Sequence, residues 1–288
     1  MPEDLSYHRR LDDGTVLSLQ FCHPSRERVE AREQHLLQEA AGHEVQHFES
    51  QIVSQRYDQQ IHALYTAEIY SREFPDEDIA SLTRRESLIV ETLLEAFRSI
   101  EKKWEQEGDP LKWYKRPELR RIVEEVTGTQ WRQPVPNVAG CLLSNLIFGH
   151  GLPNANHRSS LSLVETYLGT FKPDFEIPDT GVHGEWFDWS EEYVHESKRL
   201  LMLARKAKMF RYIEDWGCTS IVRKNDVVAA FEDYNIWVDD PWSHFRQQHR
   251  ELSIEFVYQI LERTEYDTLI GEQDPGKRVF LDRLAATQ

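Results

Sequence analysis

The chain has 288 residues and a formal net charge of −16, with 50 acidic against 34 basic side chains. That balance argues against nucleic acid or an anionic membrane as the main partner, because a polyanion is repelled by most of such a surface. Three scattered cysteines (Cys22, Cys141 and Cys218) support neither a disulfide framework nor a cysteine zinc site. The start of the chain has no apolar signal core and no apolar run approaches membrane-spanning length, so the expected compartment is the cytoplasm.

The stretch SYHRRLDDGTVLSLQF reads as a small β-hairpin turning at Asp12, Asp13 and Gly14. From Pro24 to about Phe74, Leu36, Leu37, Ala40, Val45, Phe48, Ile52, Ile61 and Leu64 recur at three- and four-residue steps. This predicts a polar helical region interrupted at Gly42. Pro75 punctuates, and Asp76 to about Glu105 predicts a helix through Ile79, Leu82, Leu88, Ile89, Leu93, Leu94 and Phe97. A shorter helix follows Pro117, and TGTQWRQPVP is irregular with a short extended segment. Asn137 caps a helix leading to Gly149, and a second helix runs from near Asn154 to Gly169. KPDFEIPDTGVHGEWFDW reads as an aromatic-rich loop, after which helices are expected over 191–215, 224–234 and 241–263. With no internal repeat or low-complexity linker, the expected fold class is mainly α, with that small β-hairpin. The expected division is a hairpin and long helical region over 1–75, a helical core over 76–215 and a C-terminal helical extension over 216–288.

GHEVQH contains the HExxH pattern at His43, Glu44 and His47. On a helix these imidazoles share a face one turn apart, as a zinc site needs, with the Glu placed to activate water. A zinc hydrolase is nevertheless the distant alternative. The surrounding residues are polar on most faces, and Ser50 and Val53 stand where a metzincin has Gly and His. Glu68, a tempting third ligand, lies tens of ångströms away on a continuous helix.

HGLPNANHR, residues 150–158, is more specific. A helix ending at Gly149 delivers His150 to the turn, and Pro153 stops continuation. Asn154 caps the next helix, whose first amides, near Ala155, Asn156 and His157, lack intrahelical partners and form an anion cradle. Arg158 supplies a planar donor fork over that cradle. His150 faces it, able to accept a proton from a hydroxyl. Base, cradle and clamp suit phosphoryl or nucleotidyl transfer, which depends on positioning and charge stabilisation.

These nine residues resemble the Fic/Doc loop HxFx(D/E)(G/A)N(G/K)R, with the His-to-Arg spacing intact. The resemblance covers about 137–169 closely and extends over the 76–215 core. It implies a Fic/Doc-like helical core and a transferase that moves a phosphate or AMP group from ATP or another nucleoside triphosphate to a Ser, Thr or Tyr hydroxyl of a protein. The implied role is toxin-like, with an antitoxin partner. On the matching positions, His150 is the base, Asn156 shapes the anion hole and Arg158 clamps a phosphate. The family's Mg²⁺-holding acid is Asn154 here, a weaker neutral ligand. Its Phe is Leu152, a mild exchange. Leu161 replaces the second Arg of AMP-transferring members, and His157 stands where they have Gly and Doc-type members have Lys. A bulky His157 is expected to crowd the phosphates of an AMP donor, favouring transfer of the terminal phosphate. The alternative is a catalytically weak or inactive interaction protein, because the acidic position is lost.

Many members are restrained by a helix with (S/T)xxxE(G/N), whose Glu pairs with the clamping Arg. SLIVET (Ser87, Glu91) and TLIGEQ (Thr268, Glu272) approach this pattern, which makes Glu91 and Glu272 the candidate inhibitory residues. The family's β-hairpin flap, which aligns a target by strand addition, has two candidates, TGTQWRQPV and the N-terminal hairpin. Trp186 and Trp189 are candidates for partner or base recognition.

Overall fold

The computed structural model describes residues 4–74, 80–178, 185–224 and 227–287. It is mixed α/β, 55% helix and 16% strand with two sheets, which overturns the mainly α expectation. The chain forms two compact units: residues 1–72, 112–115 and 198–245, and residues 73–111, 116–197 and 246–288. Neither unit is one continuous stretch. Among the described residues, no helix is long and apolar enough to cross a membrane.

The first unit holds both sheets. Strands β2 (His8–Arg10), β3 (Val16–His23), β4 (Val45–Arg56) and β5 (Gln60–Tyr70) form a curled antiparallel half-barrel in the order β2-β3-β5-β4. The turn at Asp12 to Gly14 joins β2 to β3, with Gly14 at φ 81° and the Asp13 carboxylate accepting from the Thr15 amide at 2.8 Å. Helix α1 (Arg26–Ala41) packs on β3, β4 and β5 through the buried Val29 and Ala40. It is capped by the Ser25 hydroxyl and stops at Gly42. A second sheet pairs β1 (Leu5–Ser6) parallel to β6 (Ser220–Val222), which pairs antiparallel to β7 (Val228–Ala230).

The predicted helical region over 24–74 is therefore helical only in α1. Its second half is the β4–β5 hairpin, in register from Arg56↔Gln60 to His47↔Ile69. Phe48 and Ile52 are four residues apart, a spacing that puts them on one face of a helix and equally of a strand. β5 is buried at every residue from Ile61 to Ala67, so it shows no alternation, and β4 is a half-exposed edge. The helix expected over 224–234 is also corrected, since β7 and a short 3-10 turn (Phe231–Asp233) occupy its second half.

The hairpin dismantles the HExxH motif. His43 sits in the turn after α1, and His47 lies on β4 with Nε2 2.5 Å from Glu49 Oε1. Glu68 is opposite Phe48, so it points to the other face from His47. Among the described residues no three His, Cys, Asp or Glu side chains group as metal ligands.

The second unit carries α2 (Arg84–Gln106), α3 (Leu119–Thr127), α4 (Val135–Gly149), α5 (Asn156–Gly169) and α8 (Lys277–Thr287), with parts of α6 (Glu185–Glu214) and α7 (Pro241–Arg263). A Thr83–Glu86 capping box opens α2. Pro75, Asp76 and Ile79 of the expected helix start lie outside the described residues, as do residues 179–184 of the aromatic loop. Trp186 and Trp189 belong to α6, and the Trp189 ring stacks on Phe256 at 5.0 Å. α4 is the central helix, buried at every position except Asn137. At Gly140 a Cβ would lie 2.4 Å from the Ile254 Cα, so only glycine lets α7 approach this closely.

Candidate functional site

The turn between α4 and α5 is built from its flanking residues inward. α4 ends with His150 as its cap in the left-handed region (φ 52°, ψ 43°), its amide donating to the Leu146 carbonyl at 3.0 Å. Ala155, the residue before α5, is also left-handed (φ 51°, ψ 23°). Each such non-glycine residue costs about 1–2 kcal/mol, which the surrounding bonds must offset.

Asn156 supplies two of them. Its side chain is buried, with Oδ1 accepting from the Leu152 amide at 3.1 Å and Nδ2 donating to the Leu152 carbonyl at 3.0 Å. Leu152 itself is buried, the anchoring role its position implies. α3 closes the other side: the Glu118 amide donates to the Gly151 carbonyl at 2.8 Å. A Cβ on Gly149 would come within 2.5 Å of Glu125 Cγ, and one on Gly151 within 2.5 Å of Ile122 Cγ1. Glu125 is held in turn by an ion pair with Arg246, whose guanidinium also donates to Asn145 Oδ1 at 3.1 Å.

Among the described residues, the N-cap of α5, Ala155, makes no side-chain hydrogen bond to the first turn, where the positive end of the helix dipole lies. The cradle is one amide smaller than expected. The cap is Ala155 rather than Asn154, and the Ala155 amide is taken by Asn154 Oδ1 at 2.8 Å. Arg158 is exposed, one turn into α5, with its guanidinium 5.7 Å from the centre of the Trp104 ring of α2.

His157 does not lie over the cradle. Its Nε2 is 2.8 Å from Ser197 Oγ on α6, and Ser197 Oγ is 2.7 Å from Nε2 of His249 on α7. His249 is fully buried, and this burial, more than the neighbouring His157 and Arg246, holds its pKa well below the ordinary 6.5. The steric reason for expecting terminal-phosphate transfer is thereby removed, and the case for it rests on Leu161.

The candidate inhibitory residues are not beside Arg158. Glu91 is exposed on α2, 13 residues before Trp104, or about 20 Å along the helix. Glu272 lies at the other end of α4 from His150, where its carbonyl accepts from the Val135 amide at 3.0 Å. A cleft between α2, α3 and α8, whose lining includes Thr83, Arg85, Glu86, Thr127, Lys277 and Arg278, contains none of the turn residues. Its charged groups are already engaged: the Glu86 carboxylate serves the Thr83 cap, Arg85 and Arg278 both pair with Asp282, and Lys277 donates to Thr127 Oγ1. The donor set of the turn does not by itself fit a divalent ion: Asn154 contributes one neutral oxygen, already bonded to an amide.

Trp104, Glu125, Ser197, Arg246 and His249 were not singled out in the sequence. They come from four other helices, and nothing in their spacing relates them to residue 150.

The chain belongs to a family of unknown function, DUF8172, whose model matches residues 1–288. No curated protein and no solved structure matches it.

Proposed function

We propose that the turn between α4 and α5 is the active site of a transferase that moves a phosphate or AMP group from a nucleoside triphosphate to a protein hydroxyl. The carrying observation is the juxtaposition across one pinned turn of His150, ending α4, and the start of α5, whose N-cap Ala155 makes no side-chain cap bond and whose first turn holds Arg158. The likeness of residues 150–158 to the Fic/Doc loop is a second support for this reading, independent of the overall fold class.

In the proposed reaction a Ser, Thr or Tyr hydroxyl loses its proton to His150 as its oxygen bonds to phosphorus. The bond from phosphorus to the leaving oxygen breaks, releasing ADP if the γ-phosphorus is attacked or pyrophosphate if the α-phosphorus is. The proton then passes from His150 to solvent. The amides of Asn156 and His157, with Arg158, stabilise the charge on the phosphoryl oxygens. The cytoplasm, where nucleoside triphosphates are abundant, is the compartment that suits this reaction.

Arg158→Ala is expected to weaken ATP binding at least tenfold in calorimetry while lowering the melting temperature by no more than about 1–4 °C, the worth of an exposed contact with Trp104. Equal affinity in the two proteins would overturn the assignment of the clamp. One observation favours a second reading, nucleotide binding without turnover: the acidic position is Asn154, and its oxygen is already engaged.

A further inference from the structure

A polar side chain removed from water is costly unless bonded, and a fully bonded buried network fixes one arrangement of the elements it joins. Such a network runs behind the turn. From His157 it passes to Ser197 at 2.8 Å and to His249 at 2.7 Å; Nδ1 of His249 is then 2.8 Å from Ser144 Oγ on α4. Ser253 Oγ lies 3.4 Å from the same Nδ1 and accepts from or donates to the Tyr193 hydroxyl at 3.0 Å. Ser144, Ser197, His249 and Ser253 are completely buried.

Two features make this more than core packing. Ser144 is six residues before His150 on α4, and His157 is the second residue of α5. One chain therefore ties the helix that ends in the candidate base to the helix that starts with the candidate cradle. The chain also decides where the ring of His157 lies, and this ring neighbours the amides that would hold a phosphate.

We propose that the chain Ser144–His249–Ser197–His157 is a positioning device, which draws the His157 ring back into the helical unit and keeps the first amides of α5 open to an anion. The proposal rests on the transferase reading for the identity of the anion, a nucleotide phosphate. Ser197 and His249 are positioning residues: they act through His157 and touch no substrate. Ser197→Ala cuts the chain at its middle and leaves the imidazole of His157 able to swing across the cradle.

The test combines ATP calorimetry with imidazole ¹⁵N NMR of full-length protein. Ser197→Ala is expected to bind ATP about tenfold more weakly and to shift the ring signals of both His157 and His249. Adding His157→Ala to it removes the swinging ring and is expected to recover most of the lost affinity, a rescue that a merely structural role for Ser197 does not allow. Ser197→Cys, which fills the space with a poor hydrogen-bonding group, gives the same comparison if Ser197→Ala does not fold. Failure of the second substitution to rescue, or ring signals that stay in place when Ser197 is replaced, overturns the proposal. If the wild-type protein binds no ATP, the transferase reading fails instead, and the ring signals still decide whether the chain holds His157.

Discussion

Asn156→Ala is the perturbation whose cost follows most directly from the structure. The side chain bonds both the amide and the carbonyl of Leu152, and Leu152 is itself buried. Leaving a buried donor and a buried acceptor unpaired costs roughly 1–3 kcal/mol each, so the substitution is expected to destabilise by about 2–6 kcal/mol. This is similar to the combined strain of His150 and Ala155, about 2–4 kcal/mol for two left-handed residues, so the clamp is large enough to offset that strain. At about 2–4 °C per kcal/mol, the melting temperature should drop by roughly 4–24 °C. Asn156→Asp should do no better, because it keeps the acceptor for the Leu152 amide but sets a carboxylate oxygen against the Leu152 carbonyl. Differential scanning calorimetry reads both. An Asn156→Ala protein melting within a degree of the wild type would show that the clamp does not hold the turn.

Three further outcomes follow from the same geometry. Asn154→Asp places a carboxylate where the neutral amide is, and ATP binding should become more dependent on Mg²⁺; calorimetry with and without Mg²⁺ reads this, and an unchanged Mg²⁺ dependence would remove Asn154 from the site. Burial holds the His249 pKa below its unfolded value, so its contribution to stability is full above about pH 6.5 and declines as pH falls, by up to about 1.4 kcal/mol per pH unit. His249→Gln should therefore flatten the dependence of melting temperature on pH between about 6.5 and 5, and equal slopes would count against a buried neutral imidazole. Because His43 and His47 belong to a turn and a strand, metal analysis of purified protein should find no stoichiometric zinc, and zinc lost on His47→Ala would restore the hydrolase alternative.

The turn was legible because its signals are local. Pro153, Gly149 and Gly151 punctuate two apolar runs, and the cost of each backbone conformation is a property of the residue that adopts it. The β4–β5 hairpin was not legible, for two physical reasons. Edge position leaves β4 polar on most of its length, and a central position buries β5 on both faces, so neither shows the alternation that marks a strand. The partners of the site were hidden for a different reason. Ser197 and His249 are an ordinary serine and histidine in amphipathic helices, and only the packing of α6 and α7 against α4 brings them to within 3 Å of each other and of His157 and Ser144. His157 illustrates the limit best: its identity suggested a bulky group over the phosphates, whereas a serine 40 residues away turns its ring inward.

The central claim is that His150 and the start of α5 transfer a phosphorus-centred group to protein. Wild-type protein and His150→Ala, each incubated with lysate and with ATP labelled at either the α- or the γ-phosphorus, test it most directly. Labelled protein bands above those of lysate alone are expected with the wild type from one of the two positions, γ for phosphate transfer and α for AMP transfer, and none above that background with His150→Ala at an unchanged melting temperature. Equal labelling by His150→Ala, or no labelling by the wild type from either position, would contradict it.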